Sequence, residues 1–191
     1  MLLFTLRELF DLIAMIVVIG FIFSRLIKRR PKGNYEPLDY YKRKNYFLDD
    51  LKYGIIIAAP AVALHELAHK FAAISFGATA TLHAPYLMYA IAIALVLFNS
   101  PLIFFIGGYV SHTALTPLAS AIVAFSGPLI NLIIWLGIKP FLKTRYGKKH
   151  LQILMMIGNL NMFLFIFNMI PIPGFDGFQF FYGIIKFFIG G

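Results

Sequence analysis

The sequence predicts an all-α polytopic membrane protein with about five or six transmembrane segments and short β-like or re-entrant elements after the second. Three observations predict it. Of the 191 residues, 60% are hydrophobic and 13% charged, whereas an ordinary soluble domain carries about a quarter charged residues. Mean hydropathy is +0.81, so the average residue prefers hydrocarbon to water. Several apolar runs also approach the length of about 20 residues that a helix needs to cross a bilayer.

The runs follow one another in a definite order. Residues 2–23 form the first, and since Arg7, Glu8 and Asp11 precede its apolar part with no small-residue cleavage pattern after it, it is expected to be a retained anchor. Residues 25–52 carry Pro31, Gly33, Pro37 and many charges, which predicts an exposed linker with at most a short interfacial helix. Residues 53–76 come next, about 36 Å of helix, with Pro60 expected to loosen or kink it and Gly77 to end it. Residues 78–85, "ATATLHAP", give a weak strand signal from their β-branched threonines. Residues 86–98 and 99–112 together admit one helix, a helical hairpin, or a helix followed by strand-like segments. Residues 119–138 and 151–170 are further spans, the second broken at its end by Pro171, Pro173 and Gly174. Residues 180–189 are too short to span and read as a membrane-surface or re-entrant piece. The organisation expected is thus an anchor and basic linker over 1–52, a core over 53–177 and a membrane-associated segment over 178–191.

The formal charge of +9 does not point to nucleic acid. Its positive residues cluster at 25–52 and 139–149, beside apolar runs, where basic loops are expected on topological grounds. No recognisable nucleic-acid module with base-stacking aromatics accompanies them. The absence of cysteine excludes disulfides, thiolate metal sites and cysteine nucleophiles, so any metal is held by nitrogen and oxygen.

Against this greasy background stands "ALHELAHKF", residues 63–71. In a helix, residues i and i+4 share a face, so His65 and His69 can point at one ion while Glu66 leans over the neighbouring position. This is the HExxH arrangement of two metal-binding histidines and a glutamate base, and zinc suits such ligands. A charged side chain at membrane depth costs at least about 2.5 kcal/mol and is expected to have a functional partner. A third ligand is needed, and Asp176 is the best candidate. It is the only carboxylate after Asp50 other than Glu66, and it lies in "PIPGFDG" at the end of a membrane segment. The competing reading is a surface Asp-Gly turn. Pro171 and Pro173 free backbone carbonyls, which at membrane depth requires protein or a water-filled cavity to cover them. His83, His112 and His150 lack ligand spacing, Asn159, Asn161 and Asn168 are expected to join helices by hydrogen bonds, and Asn131 draws notice by following Gly127-Pro128.

"HELAH" at 65–69, "GPLIN" at 127–131 and "NMIPIPGFDG" at 168–177, in this order on different membrane segments, resemble the site-2 protease family of intramembrane zinc metalloproteases. The resemblance covers residues 53–177, with the opening residues similar to short archaeal members. It implies one zinc per chain on His65, His69 and Asp176, with Glu66 as general base. It implies that Asn131 supports the substrate or polarises the scissile carbonyl, and that Gly127, Pro128, Asn168, Pro171, Pro173 and Gly177 shape the site. Phe175 stands where leucine is common. The implied partners are the lipid bilayer and a transmembrane protein substrate, whose unwound segment adds as a strand to the β-like stretches 78–85 and 102–109. No PDZ-like insertion or regulatory domain is expected in this length.

Two matters stay open at this stage. The positive-inside tendency places both basic segments in the cytoplasm, whereas the family orientation implies the reverse. The same polar residues would also serve a transporter of protons or divalent cations, and a membrane scaffold with a structural zinc is a further alternative.

Overall fold

The computed structural model describes residues 3–26, 46–100 and 107–190. Helix α1, Leu6–Leu26, begins in a reciprocal cap: Glu8 N–H donates to Thr5 Oγ1 at 3.2 Å, and Thr5 N–H donates to Glu8 Oε2 at 2.8 Å. Helix α2, Tyr46–Ser75, is 30 residues long and continues through Pro60. It ends where Gly77 takes φ +81° and the Gly77 and Ala78 N–H groups close on the Ile74 and Ala73 carbonyls. Strands β1, Ala80–His83, and β2, Tyr109–His112, pair antiparallel with Leu82 opposite Val110, and helix α3, Tyr86–Leu97, lies between them in sequence.

Helix α4, Pro117–Phe141, starts with Thr116 accepting from Ala119 N–H and Pro117 in the first position, where its missing N–H costs nothing. The short α5, Arg145–Lys149, is capped by Thr144. Helix α6, Leu151–Asn168, stops before Pro171 and Pro173, and α7, Asp176–Ile189, follows. Gly174 holds φ +101°, open to glycine but strained for other residues, in the turn between them.

Helix α2 is the central element and packs against α1, α4 and α6, while α7 packs on α4. Helices α1 and α2 run antiparallel at short range, since a Cβ on Gly54 would meet the Gly20 carbonyl. Met15 and Ile19 of α1 fill the core with Ala58, Ala61 and Val62 of α2 and Leu164 of α6. Outward-facing Ile13, Ile133, Leu136, Phe163 and Ile166 remain exposed. Among the described residues, α1, α4 and α6 are long and apolar enough to cross a membrane, so the fold is the all-α membrane class that composition predicts.

Several boundaries differ from the sequence expectation. The linker expected over 25–52 falls largely on residues outside those described, but 46–52 belong to α2, whose first turns carry charged Asp49, Asp50 and Lys52 ahead of the apolar run. Of the strand-like stretch expected at 102–109, residues 102–106 lie outside the described residues, and the observed strand starts at Tyr109. The final helix starts at Asp176 rather than 180. Glu8 and Asp11, at the charged start of the first run, are buried inside the bundle. Tyr53 of α2 donates its hydroxyl to Met156 of α6, which places Lys52 at the same end of the bundle as residues 139–149, away from His65 and His69.

Candidate metal centre

The polar residues of three helices meet where α2 passes α4 and the start of α7. His65, His69 and Asp176 each offer one ligand atom, and these atoms lie within 4.8 Å of one another. His65 Nε2 is 3.0 Å and His69 Nε2 3.3 Å from Asp176 Oδ2, and the two Nε2 atoms are 3.1 Å apart. Asp176 reaches them because the turn after α6 folds back tightly. Gly177 lies against the Met169 backbone, where a Cβ would stand 2.8 Å from the Met169 Cα and closer still to its carbonyl.

The far side of each imidazole fixes its tautomer. His65 Nδ1 lies 2.6 Å from Asn131 Oδ1, and His69 Nδ1 lies 2.8 Å from the Val123 carbonyl oxygen. Both partners are acceptors, so both Nδ1 atoms carry the proton and both Nε2 atoms present lone pairs. Two lone pairs and a carboxylate oxygen crowded together repel unless a cation sits among them. This donor set, nitrogen and oxygen without sulfur, fits zinc.

The neighbouring residues serve this arrangement. Asn131 is fully buried, and its Nδ2 donates to Ala61 O at 3.2 Å and to Asn161 Oδ1 at 2.8 Å. Asn161 in turn donates to Ile157 O at 2.8 Å, so the Asn131 amide is held from α6. Asn131 therefore sits behind His65 and does not line the cavity. Asn161, expected only to join helices, is what fixes the Asn131 orientation. Pro128 lacks the N–H that would bond the Ala124 carbonyl, which loosens that turn of α4. One residue earlier, the Val123 carbonyl accepts both His69 Nδ1–H and Ser126 Oγ–H, the latter at 2.6 Å. Gly127 occupies the point where the imidazoles converge, and a Cβ there would lie 2.7 Å from His65 Nε2.

A cavity of about 460 Å³ opens over the cluster, lined by Glu66, Asn168 and Gln179 together with the three candidate ligands and residues 107–110 and 112. Glu66 is buried, and its Oε1 accepts the Gly108 N–H at 3.2 Å. Pro171 and Pro173 are exposed and do not touch this cavity. Neither His83 nor His150 joins it. His83 bonds Ser111 at 2.8 Å on the sheet, and the His150 ring lies against Tyr146 at a tilt of 36°.

A protein of Methanocaldococcus jannaschii, provisionally named a zinc metalloprotease, is 29% identical over 180 residues, covering 91% of this chain and 83% of the relative. No family model matches the chain. No solved structure matches it.

Proposed function

We propose that this chain is a zinc metalloprotease of the site-2 type, a multi-pass protein of the archaeal cell membrane that hydrolyses peptide bonds within or near transmembrane helices of its substrates, as in regulated intramembrane proteolysis. The observation that carries the reading is the convergence of two Nε2 lone pairs and the Asp176 carboxylate beside a buried glutamate, at the floor of a cavity large enough to admit an extended peptide and water. The relative provisionally named a zinc metalloprotease supports it.

His65, His69 and Asp176 would hold one zinc per chain. Zinc supplies Lewis acidity, polarising a carbonyl and making water acidic enough to act as a nucleophile near neutral pH. The Glu66 carboxylate takes the proton from the attacking water and returns it to the leaving amine nitrogen, so one water is consumed per bond cut. Asn131 holds the His65 ring in its donor-outward tautomer. Gly127, Pro128 and Gly177 let the three helices approach closely enough for this.

A helical substrate buries its carbonyls in its own hydrogen bonds and must be extended before it can be cut. The β1–β2 pair offers a template for the extended form. Thr113 N–H donates to Thr79 O, so by alternation the Leu82 N–H of β1 and the Val110 and His112 peptide groups of β2 point away from the pair. The Leu82 N–H is taken by Glu8 Oε1 at 2.9 Å, which closes the outer edge of β1. The substrate segment therefore adds to β2, whose Tyr109, Val110 and His112 border the cavity.

The test pairs zinc content with cleavage of a labelled transmembrane peptide in detergent. Glu66→Gln keeps about one zinc per chain and loses cleavage by at least about 100-fold, the lower end of what a general base contributes. Cleavage at the native rate by Glu66→Gln, or zinc transport across a vesicle wall by a native protein that cuts no peptide, overturns the reading.

A further inference from the structure

The peptide group between Gly107 and Gly108 is gripped from both sides. Its N–H donates to Glu66 Oε1 at 3.2 Å. Its carbonyl oxygen, on Gly107, accepts the hydroxyl of Tyr89. A single planar amide thus joins a buried phenol on α3 to the buried carboxylate on α2. Because the amide is conjugated, a donor on its oxygen makes its N–H a stronger donor, and the two bonds reinforce each other.

The surroundings show that this alignment is built into the fold. Tyr89 is 4% exposed and packs in the core with Met15 and Val62. Neither glycine has room for a side chain without movement: a Cβ on Gly107 would run into Val62, and one on Gly108 would lie 3.2 Å from the His83 carbonyl oxygen and 3.4 Å from Glu66 Cγ. The Gly-Gly pair lets the backbone come against the glutamate. At the start of the same helix, Tyr86 donates its hydroxyl to Asp11 Oδ1 at 2.5 Å, which fixes α3 against α1 and with it the height of Tyr89.

We propose that Tyr89 is a positioning residue that aims and holds the Glu66 carboxylate through the Gly107–Gly108 peptide. Tyr89 acts at one remove and touches neither substrate nor metal ligands. The inference rests on Glu66 serving as the general base. A carboxylate held at Oε1 by a polarised N–H keeps one orientation between the moment it accepts a proton and the moment it returns it. Removing the phenol hydroxyl loosens the peptide, and the carboxylate then spends less time in its working rotamer.

The sequence itself provides a selective probe. Gly-Gly occurs only at 107–108 and 190–191, so glycine labelled with ¹³C at the carbonyl and ¹⁵N yields two carbonyl-selected amide signals, those of Gly108 and Gly191. The full-length, zinc-loaded protein in detergent is compared with Tyr89→Phe. The expected result is unchanged zinc content, KM within about twofold, and kcat lower by about tenfold, the scale of one lost hydrogen bond. The Gly108 amide signal moves upfield and exchanges with solvent faster, while that of Gly191 stays in place. Native kcat in Tyr89→Phe, or an unmoved Gly108 signal, overturns the proposal, as does loss of zinc in step with loss of rate. Should Tyr89→Phe fail to fold, replacing tyrosine by 3-fluorotyrosine serves with the hydroxyl kept: the more acidic phenol moves the Gly108 amide signal downfield if it bonds the Gly107 carbonyl and leaves it in place if it does not. Absence of cleavage by the native protein defeats the protease reading, and the Gly108 signal still decides the link from Tyr89.

Discussion

Gly127→Ala protein binds zinc at least about 100-fold more weakly than native protein, at the upper end of what changes beside a metal site produce, and for that reason cleaves nothing at ordinary zinc concentrations. The added methyl would lie 2.7 Å from His65 Nε2 and nearer still to His69 Nε2, in the space the ion requires. Backbone preference does not explain such a loss, because alanine favours a helix over glycine by about 1 kcal/mol. The methyl must also push two buried imidazoles aside, so the zinc-free protein unfolds somewhat below the native temperature yet still cooperatively, while zinc retention of the folded protein, measured by elemental analysis after dialysis against a weak chelator, collapses. Native zinc affinity in this variant would mean that the two imidazoles do not converge on that point.

Lys70→Met lowers stability by about 3–5 kcal/mol, the usual cost of stranding a buried charge. Lys70 is 1% exposed and Glu8 2% exposed, and the ammonium pairs with Glu8 Oε1 while lying 4.6 Å from the centre of the Phe4 ring. Glu8 also accepts the Leu82 N–H and closes the α1 cap, so one carboxylate ties α1, α2 and β1 together. Glu8→Gln combined with Lys70→Met recovers the larger share of the loss, because the amide oxygen still accepts the Leu82 N–H and no charge is left unpaired. Denaturation in mild detergent, followed by tryptophan fluorescence of Trp135, measures both. A single variant no less stable than the double one would show that the pair is not buried as described.

The metal cluster was legible in the sequence because its parts are costly in a membrane. His65, Glu66 and His69 stand at helical spacing in an apolar run, and Asp176 is the one later carboxylate that could join them. The structure brings His65, His69 and Asp176 together. The proline-glycine break at 171–174 likewise announced the turn that carries Asp176 back. What composition could not convey was direction. Asn131 could be singled out from its place after Gly127-Pro128, but only the Asn161 amide decides that its oxygen faces His65. The burial of Glu8 and Asp11 was not legible because hydropathy weighs each residue alone, while their partners Lys70 and Tyr86 lie 62 and 75 positions away. A local sign was present in Thr5 and Glu8 at the spacing of a capping box, which marks a helix start before Leu6. The Tyr89 link was hidden for the same reason, since a tyrosine in "YLMYAIAIALVL" reads as core and its acceptor is a backbone carbonyl.

The central claim is that two histidines and one aspartate hold a single zinc. Zinc K-edge X-ray absorption on the purified native protein tests it most directly. The account predicts nitrogen and oxygen neighbours at about 2.0–2.1 Å, with outer-shell scattering from two imidazole rings that falls to one in His69→Ala. Three or more imidazoles, which would bring in His83, His112 or His150, or a spectrum unchanged by His69→Ala, would contradict it.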